Sequence, residues 1–261
     1  MNIFQDLNHF FSTIVQEIYM LKITFFLSAF LFLGWSASGQ VVQEPKSYLA
    51  LYQDQLPFFQ ELISGGLYAD APKNFDGFPF YNIRVFEPGV LKINEVSYSE
   101  VPLLYDSQAD WVITFHPIYN QKILIKSEKV DEFKLNDGSV FRNFKGNDSY
   151  THHENGFYEV AFDGEIKLLI KHYKVLKPVK ELGQFTKEYV AYSDFFFWNK
   201  EQFESVSRKS QAIKLLGLDK KEVKQSFKGN SLDFKRNMEE YLARLVQLRV
   251  DSDQEFEGFV K

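Results

Sequence analysis

Between Gly66 and Val206, turn residues recur roughly every 8 to 12 positions and cut the chain into short runs rich in Phe, Tyr, Val and Ile, the cadence of an antiparallel β domain. Runs of this length are too short for ordinary amphipathic helices, and several alternate strictly. Tyr81, Ile83 and Val85 oppose Asn82 and Arg84; Trp111, Ile113 and Phe115 oppose Val112, Thr114 and His116. Turn chemistry supplies the hairpins. Asp137-Gly138 joins 130–135 to 139–144, and Asp163-Gly164 joins 157–162 to 165–173, each pair suited to the left-handed backbone of a tight turn. Pro88-Gly89 reads as a further turn between Val85 and Val90. A long strand from Glu188 to Trp198 turns at 199–201 and returns through Phe203 to Val206.

Helical spacing starts only after Ser207. Ala212, Ile213, Leu215 and Leu216 are followed by Gly217 as a terminator, and Asp219 with Glu222 forms an acidic capping box. Leu232, Met238, Tyr241, Leu242, Leu245 and Leu248 then make the apolar stripe of a longer helix. The expected fold is mainly β, a curved antiparallel sheet or partly open barrel of about ten strands over 65–206. C-terminal helices, 207–250, pack on it. Residues 40–64 read as an N-terminal leader segment and 251–261 as a frayed acidic tail.

Ahead of the domain, Lys22 precedes an apolar run from Ile23 to Leu33 and the small residues Ser36 to Gly39, the pattern of a secretory signal. Its apolar core, about a dozen residues, falls short of the roughly 20 that a spanning helix needs, so no membrane span is expected once it is removed. Residues 1–19 contain Asp6 and Glu17 but no Lys or Arg, whereas Met20-Leu21-Lys22 opens as such a signal should; 1–19 therefore read as an over-extended start. The expected destination is the periplasm or the exterior.

Composition removes several classes of function. A net charge of −5, with 30 basic and 35 acidic side chains, gives no concentrated basic surface for nucleic acid. The absence of Cys rules out a disulfide framework, a thiolate nucleophile and Cys-ligated zinc. No glycine-rich fingerprint supports a nucleotide, and no cofactor is expected.

The residues capable of chemistry are sparse. His152 and Glu154 would share a face of an extended segment and could supply two metal ligands, with Glu159, His116 or His172 as a distant third. A polar hairpin loop is the favoured reading, because 146–149 lead into it and Asn155-Gly156 closes it. Asp106 and Asp110 flank a turn and could serve as an acid and base pair or hold a cation, but turn aspartates ordinarily bind their own backbone amides, which is the favoured reading. His172 reads as a packing residue at a strand end, and the lysines at 171, 174, 177, 180 and 187 as a solvated face. Ser, His and Asp are all present, but no nucleophile elbow organises them, so the catalytic residues are unknown. In 195–198 alternation must send two of the four rings to each face; Phe195, Phe197 and Trp198 are read as helix-docking or ligand-binding aromatics.

The succession Phe78-Pro79-Phe80-Tyr81-Asn82, Val101-Pro102-Leu103-Leu104-Tyr105-Asp106, Asp110-Trp111-Val112, Gly156-Phe157-Tyr158, Asp163-Gly164 and Leu168-Leu169 resembles a group of secreted β-rich proteins of Bacteroidota with no known activity. The similarity covers roughly residues 56–250 and carries no catalytic residues across. The resemblance implies an exported envelope protein. Three functions follow in order of preference: a non-enzymatic binding or structural protein whose partner is an envelope protein or apolar ligand; a periplasmic carrier of a lipid-like ligand; and a metal-dependent hydrolase.

Overall fold

The computed structural model describes residues 16–17, 62, 65–116, 120–153, 155–179, 186–229 and 232–259, with side chains not described for 253–259. The chain divides into two units, Met1–Gln55 and Leu56–Lys261. The secretory signal and almost all of 40–64 lie outside the described residues.

The second unit carries one 11-stranded sheet: β1 (Phe75–Asp76), β2 (Glu87–Ile93), β3 (Val96–Asp106), β4 (Trp111–His116), β5 (Gln121–Leu124), β6 (Val130–Lys134), β7 (Val140–Phe144), β8 (Gly156–Phe162), β9 (Lys167–Pro178), β10 (Lys187–Asn199) and β11 (Gln202–Val206). Its order is β1-β10-β9-β8-β7-β6-β2-β3-β4-β5, with β11 also on β10. Every pairing is antiparallel except β1 with β10. Among the described residues no pairing joins β5 to the opposite end, so the sheet is open.

The sheet curls strongly. Strands β3 and β9 are separated by β2, β6, β7 and β8, yet the Lys174 N–H at the middle of β9 donates to the Ser107 carbonyl just beyond β3, at 3.3 Å. A segment ahead of β2 straps the two ends. Leu67 bridges to Ile123 of β5, β1 pairs with the start of β10, and Phe80 bridges to Asp106 of β3. Tyr81 donates its backbone N–H to Tyr105 and Ser107 donates to Pro79, so the strap is fastened by main-chain bonds that any sequence can form.

Inside the curl, rings from β3, β6, β7 and β8 meet. Phe133 of β6 stacks on Phe141 of β7 at 4.9 Å, Tyr105 of β3 lies 4.9 Å from Phe141, and Phe157 of β8 meets Phe133 edge-on at 5.2 Å. All four are fully buried. The helices α1 (Lys209–Leu215), α2 (Lys220–Ser226) and α3 (Met238–Phe259) cover the same face farther along, against Leu168, Phe197 and Val206. Gly217, at φ +65°, closes α1: its N–H reaches the Lys214 carbonyl and that of Leu218 reaches Ile213, a paired bond pattern that satisfies the helix's last carbonyls. Asp219 caps α2 by accepting from the amides of Lys221 and Glu222.

Four local expectations are corrected. Pro88-Gly89 is not a turn but lies inside β2, where Gly89 lets the Lys134 carbonyl pass so close that a Cβ would sit 2.5 Å from its oxygen. The turn into β3 is made by Asn94 and Glu95, both at positive φ. Residues 81–86 form no strand; they belong to the strap, and Val85 is 63% exposed. The long helix begins at Met238 rather than near Leu232 and continues to Phe259, through residues read as a frayed tail. Asp233 accepts from the amides of Lys235 and Arg236, making a separate turn ahead of it.

Since Phe141 touches rings of β3, β6 and the strap, Phe141→Ala is expected to lower the unfolding free energy by about 3–5 kcal/mol. Urea titration of the wild type and variant measures it; a change below about 1 kcal/mol would show that the rings are loosely held.

Candidate functional site

The turn between β3 and β4 separates the roles of its two aspartates. Asp106 behaves as a turn residue: one carboxylate oxygen accepts from the amides of Gln108 and Ala109, and the other accepts from the Tyr68 hydroxyl at 2.8 Å. Asp110, at φ +61°, binds none of its own turn. Its Oδ1 accepts from the Tyr105 hydroxyl at 2.6 Å and from Lys171 Nζ at 2.7 Å; its Oδ2 accepts from the Phe157 amide at 3.1 Å.

Lys171, read as part of a solvated face, has no exposed surface. Its ammonium also donates to the Phe157 carbonyl at 2.8 Å and lies over the Tyr158 ring. Burial pushes the lysine below its ordinary range while Asp110 pulls it back, and burial followed by the Asp110 charge drives the Tyr105 phenol well up. Gly156 makes room for this pair: a Cβ there would lie 1.8 Å from Asp110 Oδ2. The arrangement is a satisfied internal tie between the β3–β4 turn and strands β8 and β9. With Lys171 covered on all sides, it offers a substrate no access.

The histidine cluster is divided. His152 stacks on Tyr173 at 4.1 Å and 15°, and Tyr173 stacks in turn on Tyr192. His153, at φ +56°, lies near Asp110 and Lys171; burial pushes its imidazole below the ordinary range and Lys171 adds to that, while Asp110 opposes it. Glu154 lies outside the described residues. Among the described residues no group of three His, Asp or Glu side chains could hold a metal ion. His116 is buried on β4, and Glu159 and His172 engage each other instead of His152.

That pair forms the arrangement nearest to chemistry. His172 lies in the middle of β9, not at a strand end. One ring nitrogen, Nε2, is 2.6 Å from Glu159 Oε2, and the other, Nδ1, is 2.8 Å from Ser193 Oγ. Tyr81 packs on the imidazole at 4.7 Å, and burial followed by the Glu159 charge raises the Tyr81 phenol to about 12. Glu239, in the first turn of α3, is raised by burial and then by the same Glu159 charge. A carboxylate that holds one imidazole nitrogen protonated leaves the other as acceptor for a serine hydroxyl, which is the hydrogen-bond order of an activated nucleophile. Ser193, however, lies inside an uninterrupted 13-residue strand. Successive N–H groups there point to opposite edges, so two adjacent donors cannot converge on an oxyanion as they do at a strand-to-helix elbow.

The register that brings these residues together was hidden in the sequence. Ser193 stands opposite His172 only because Lys187 pairs with Pro178, and the connection between β9 and β10 contains no tight-turn signature to set that pairing. In the aromatic tetrad, Phe195 and Phe197 pack against the helices. Trp198 does not. It belongs to the opposite face with Tyr158, Leu169, Phe196 and Phe203, as strict alternation along β10 requires.

Comparison of the chain with protein-family models, curated proteins and solved structures finds no match.

Removing one partner of the buried pair leaves an uncompensated charge, so Lys171→Met and Asp110→Asn are each expected to destabilise by about 3–5 kcal/mol, with much of that loss restored in the double variant. Strict additivity in the double-variant cycle would dispose of the tie.

Lys174 gives a pH signature. Its ammonium donates to the carbonyls of Phe78 and Phe80 and lies 4.1 Å from the Phe78 ring. Burial lowers it to about 8, against the pull of Asp106. An unfolded lysine keeps its proton to about pH 10.4. Between those values the unfolded chain binds more protons, so stability rises with pH. The difference in unfolding free energy between wild type and Lys174→Met should grow in the wild type's favour from pH 8 to pH 10; a flat difference would refute the burial.

Proposed function

We propose that the chain is an exported envelope protein that binds a ligand or partner and does not transform it. Export rests on the apolar run Ile23–Leu33 with its small-residue exit and on the resemblance to secreted proteins of Bacteroidota. Among the described residues, no helix is long and apolar enough to cross a membrane.

One observation carries the binding reading: the groups that look reactive are used up in holding the sheet together. The Lys171 ammonium, whose proton burial makes easier to lose, is sealed behind Asp110, Tyr105 and Phe157. The hydrogen-bonded Ser193–His172–Glu159 sequence lies on strand backbone without convergent donors. The same packing weighs against a carrier that holds an acyl chain within the curl, because Tyr105, Phe133, Phe141 and Phe157 occupy that space with one another.

A fluorophosphonate probe tests this reading on the mature-length protein. Ser193 should remain unmodified at probe concentrations that label an ordinary serine hydrolase completely. Stoichiometric labelling of Ser193, lost in His172→Ala while the fold is retained, would overturn it and make the Glu159–His172–Ser193 relay an active site.

A further inference from the structure

On the reading that this is a binding protein, we propose that the groove across α1, α2 and the start of α3 binds a monomeric amphipathic anion: a single acyl chain with a negatively charged head group. The groove, open to solvent, has a volume of about 760 Å³. This is within the range of small-molecule sites, roughly 300–1,000 Å³. Ile213, Val223, Phe227 and Leu232 give it an apolar lining, and Lys209, Lys220 and Lys224 stand among them. A second depression of about 780 Å³ adjoins it through Ser210, Ile213 and Lys220, and adds Arg208 and Lys214.

Charge selects the occupant. Among the described residues no carboxylate contributes to either lining, although the whole chain has a net charge of −5. Asp219, the acid between α1 and α2, is committed to capping α2. A neutral lipid would fill the apolar lining and leave the ammonium groups without a counter-charge; a small inorganic anion would satisfy the ammonium groups and leave the apolar lining wet. A head-and-tail molecule meets both demands.

Tyr241 supplies a second, independent observation. It forms part of the groove wall, is 1% exposed, and has a hydroxyl with no hydrogen-bond partner among the described residues. A buried hydroxyl without a partner is unfavourable, and a head-group oxygen is an acceptor that would relieve it. The Lys209 ammonium lies 4.8 Å from the centre of the same ring, so cation and hydroxyl donor are carried on adjoining side chains.

The experiment is calorimetric titration of the mature-length protein with dodecanoate, and separately with dodecyl maltoside, which carries the same tail under a neutral head, both below their micelle-forming concentrations. Dodecanoate is expected to saturate a single site, to bind at least tenfold more tightly than the maltoside, and to weaken at least tenfold in Lys209→Glu/Lys220→Glu. These surface charge reversals are checked for folding by thermal melting. Equal affinity for the two amphiphiles, no binding of dodecanoate, or no effect of the charge reversal would each overturn the proposal. So would flotation on phosphatidylglycerol vesicles without binding of monomeric dodecanoate, which would make the face a membrane-docking surface. Failure here leaves the binding reading standing, because Ser193 labelling decides that question separately.

Discussion

Everything in the β unit depends on bringing the β3–β4 turn against β8 and β9, and the buried Asp110–Lys171 pair is the interaction that specifies this contact. An open sheet has no closing ladder to set how far it curls. Here a charge that cannot be left bare does so. Lys171 has no exposed surface, so its ammonium must find acceptors, and Asp110 with the Phe157 carbonyl provides them only at one curvature. Such a pair adds little net stability over an apolar replacement, but any slip of the turn leaves two buried charges unmatched. Gly156 completes the constraint, since a side chain there would occupy the position of the carboxylate.

With the curl set, the two faces of the sheet divide the aromatic residues between them. The concave face brings Tyr105, Phe133, Phe141 and Phe157 together from four strands, and the apolar faces of the helices extend the same surface past Leu168 and Phe197. The convex face has coverings of its own: the strap residues Phe78 and Phe86 over Leu104 and Ile113, and Phe203 of β11 near Tyr158 and Phe196. A sheet buried on both sides needs large side chains at odd and even positions alike. This accounts for a chain with 28 Phe and 14 Tyr.

Local structure was legible in the sequence where the chemistry is local. Asp137-Gly138, Gly217 and Asp219 each carry their instruction within four residues, and each lies where that instruction places it; Asp163-Gly164 does connect β8 to β9, but in a longer turn that ends at Lys167 and without the left-handed glycine that the pair suggests. Pro88-Gly89 carries an equally strong turn signal and misleads, because the requirement for glycine comes from the Lys134 carbonyl, 45 positions away. Lys171 misleads in the same way: its position in a run of lysines suggests solvent, whereas its partner Asp110 comes from a distant turn, 61 positions earlier. The Ser193–His172 meeting was invisible for a related reason, since it follows from the register of two long strands and not from any motif. Features set by long-range approach of backbone and charge leave no periodic trace.

This division bears on where a binding surface can form. Residues of the curl answer to one another: moving Phe141 disturbs the rings of β3 and β6, and moving Asp110 strands Lys171. A ligand admitted there would have to compete with contacts that maintain the sheet's shape. The helical cover is constrained on one side only. Leu242, Leu245 and Val246 face the sheet and are fully buried, while Lys209, Lys220 and Lys224 project where no sheet residue depends on them. Tyr241 sits at the boundary, its ring packed on Phe227 and its hydroxyl without a partner among the described residues. Exposed ammonium groups of one sign stand there beside apolar side chains, and an opposite charge carried on an apolar tail is the chemistry that complements both.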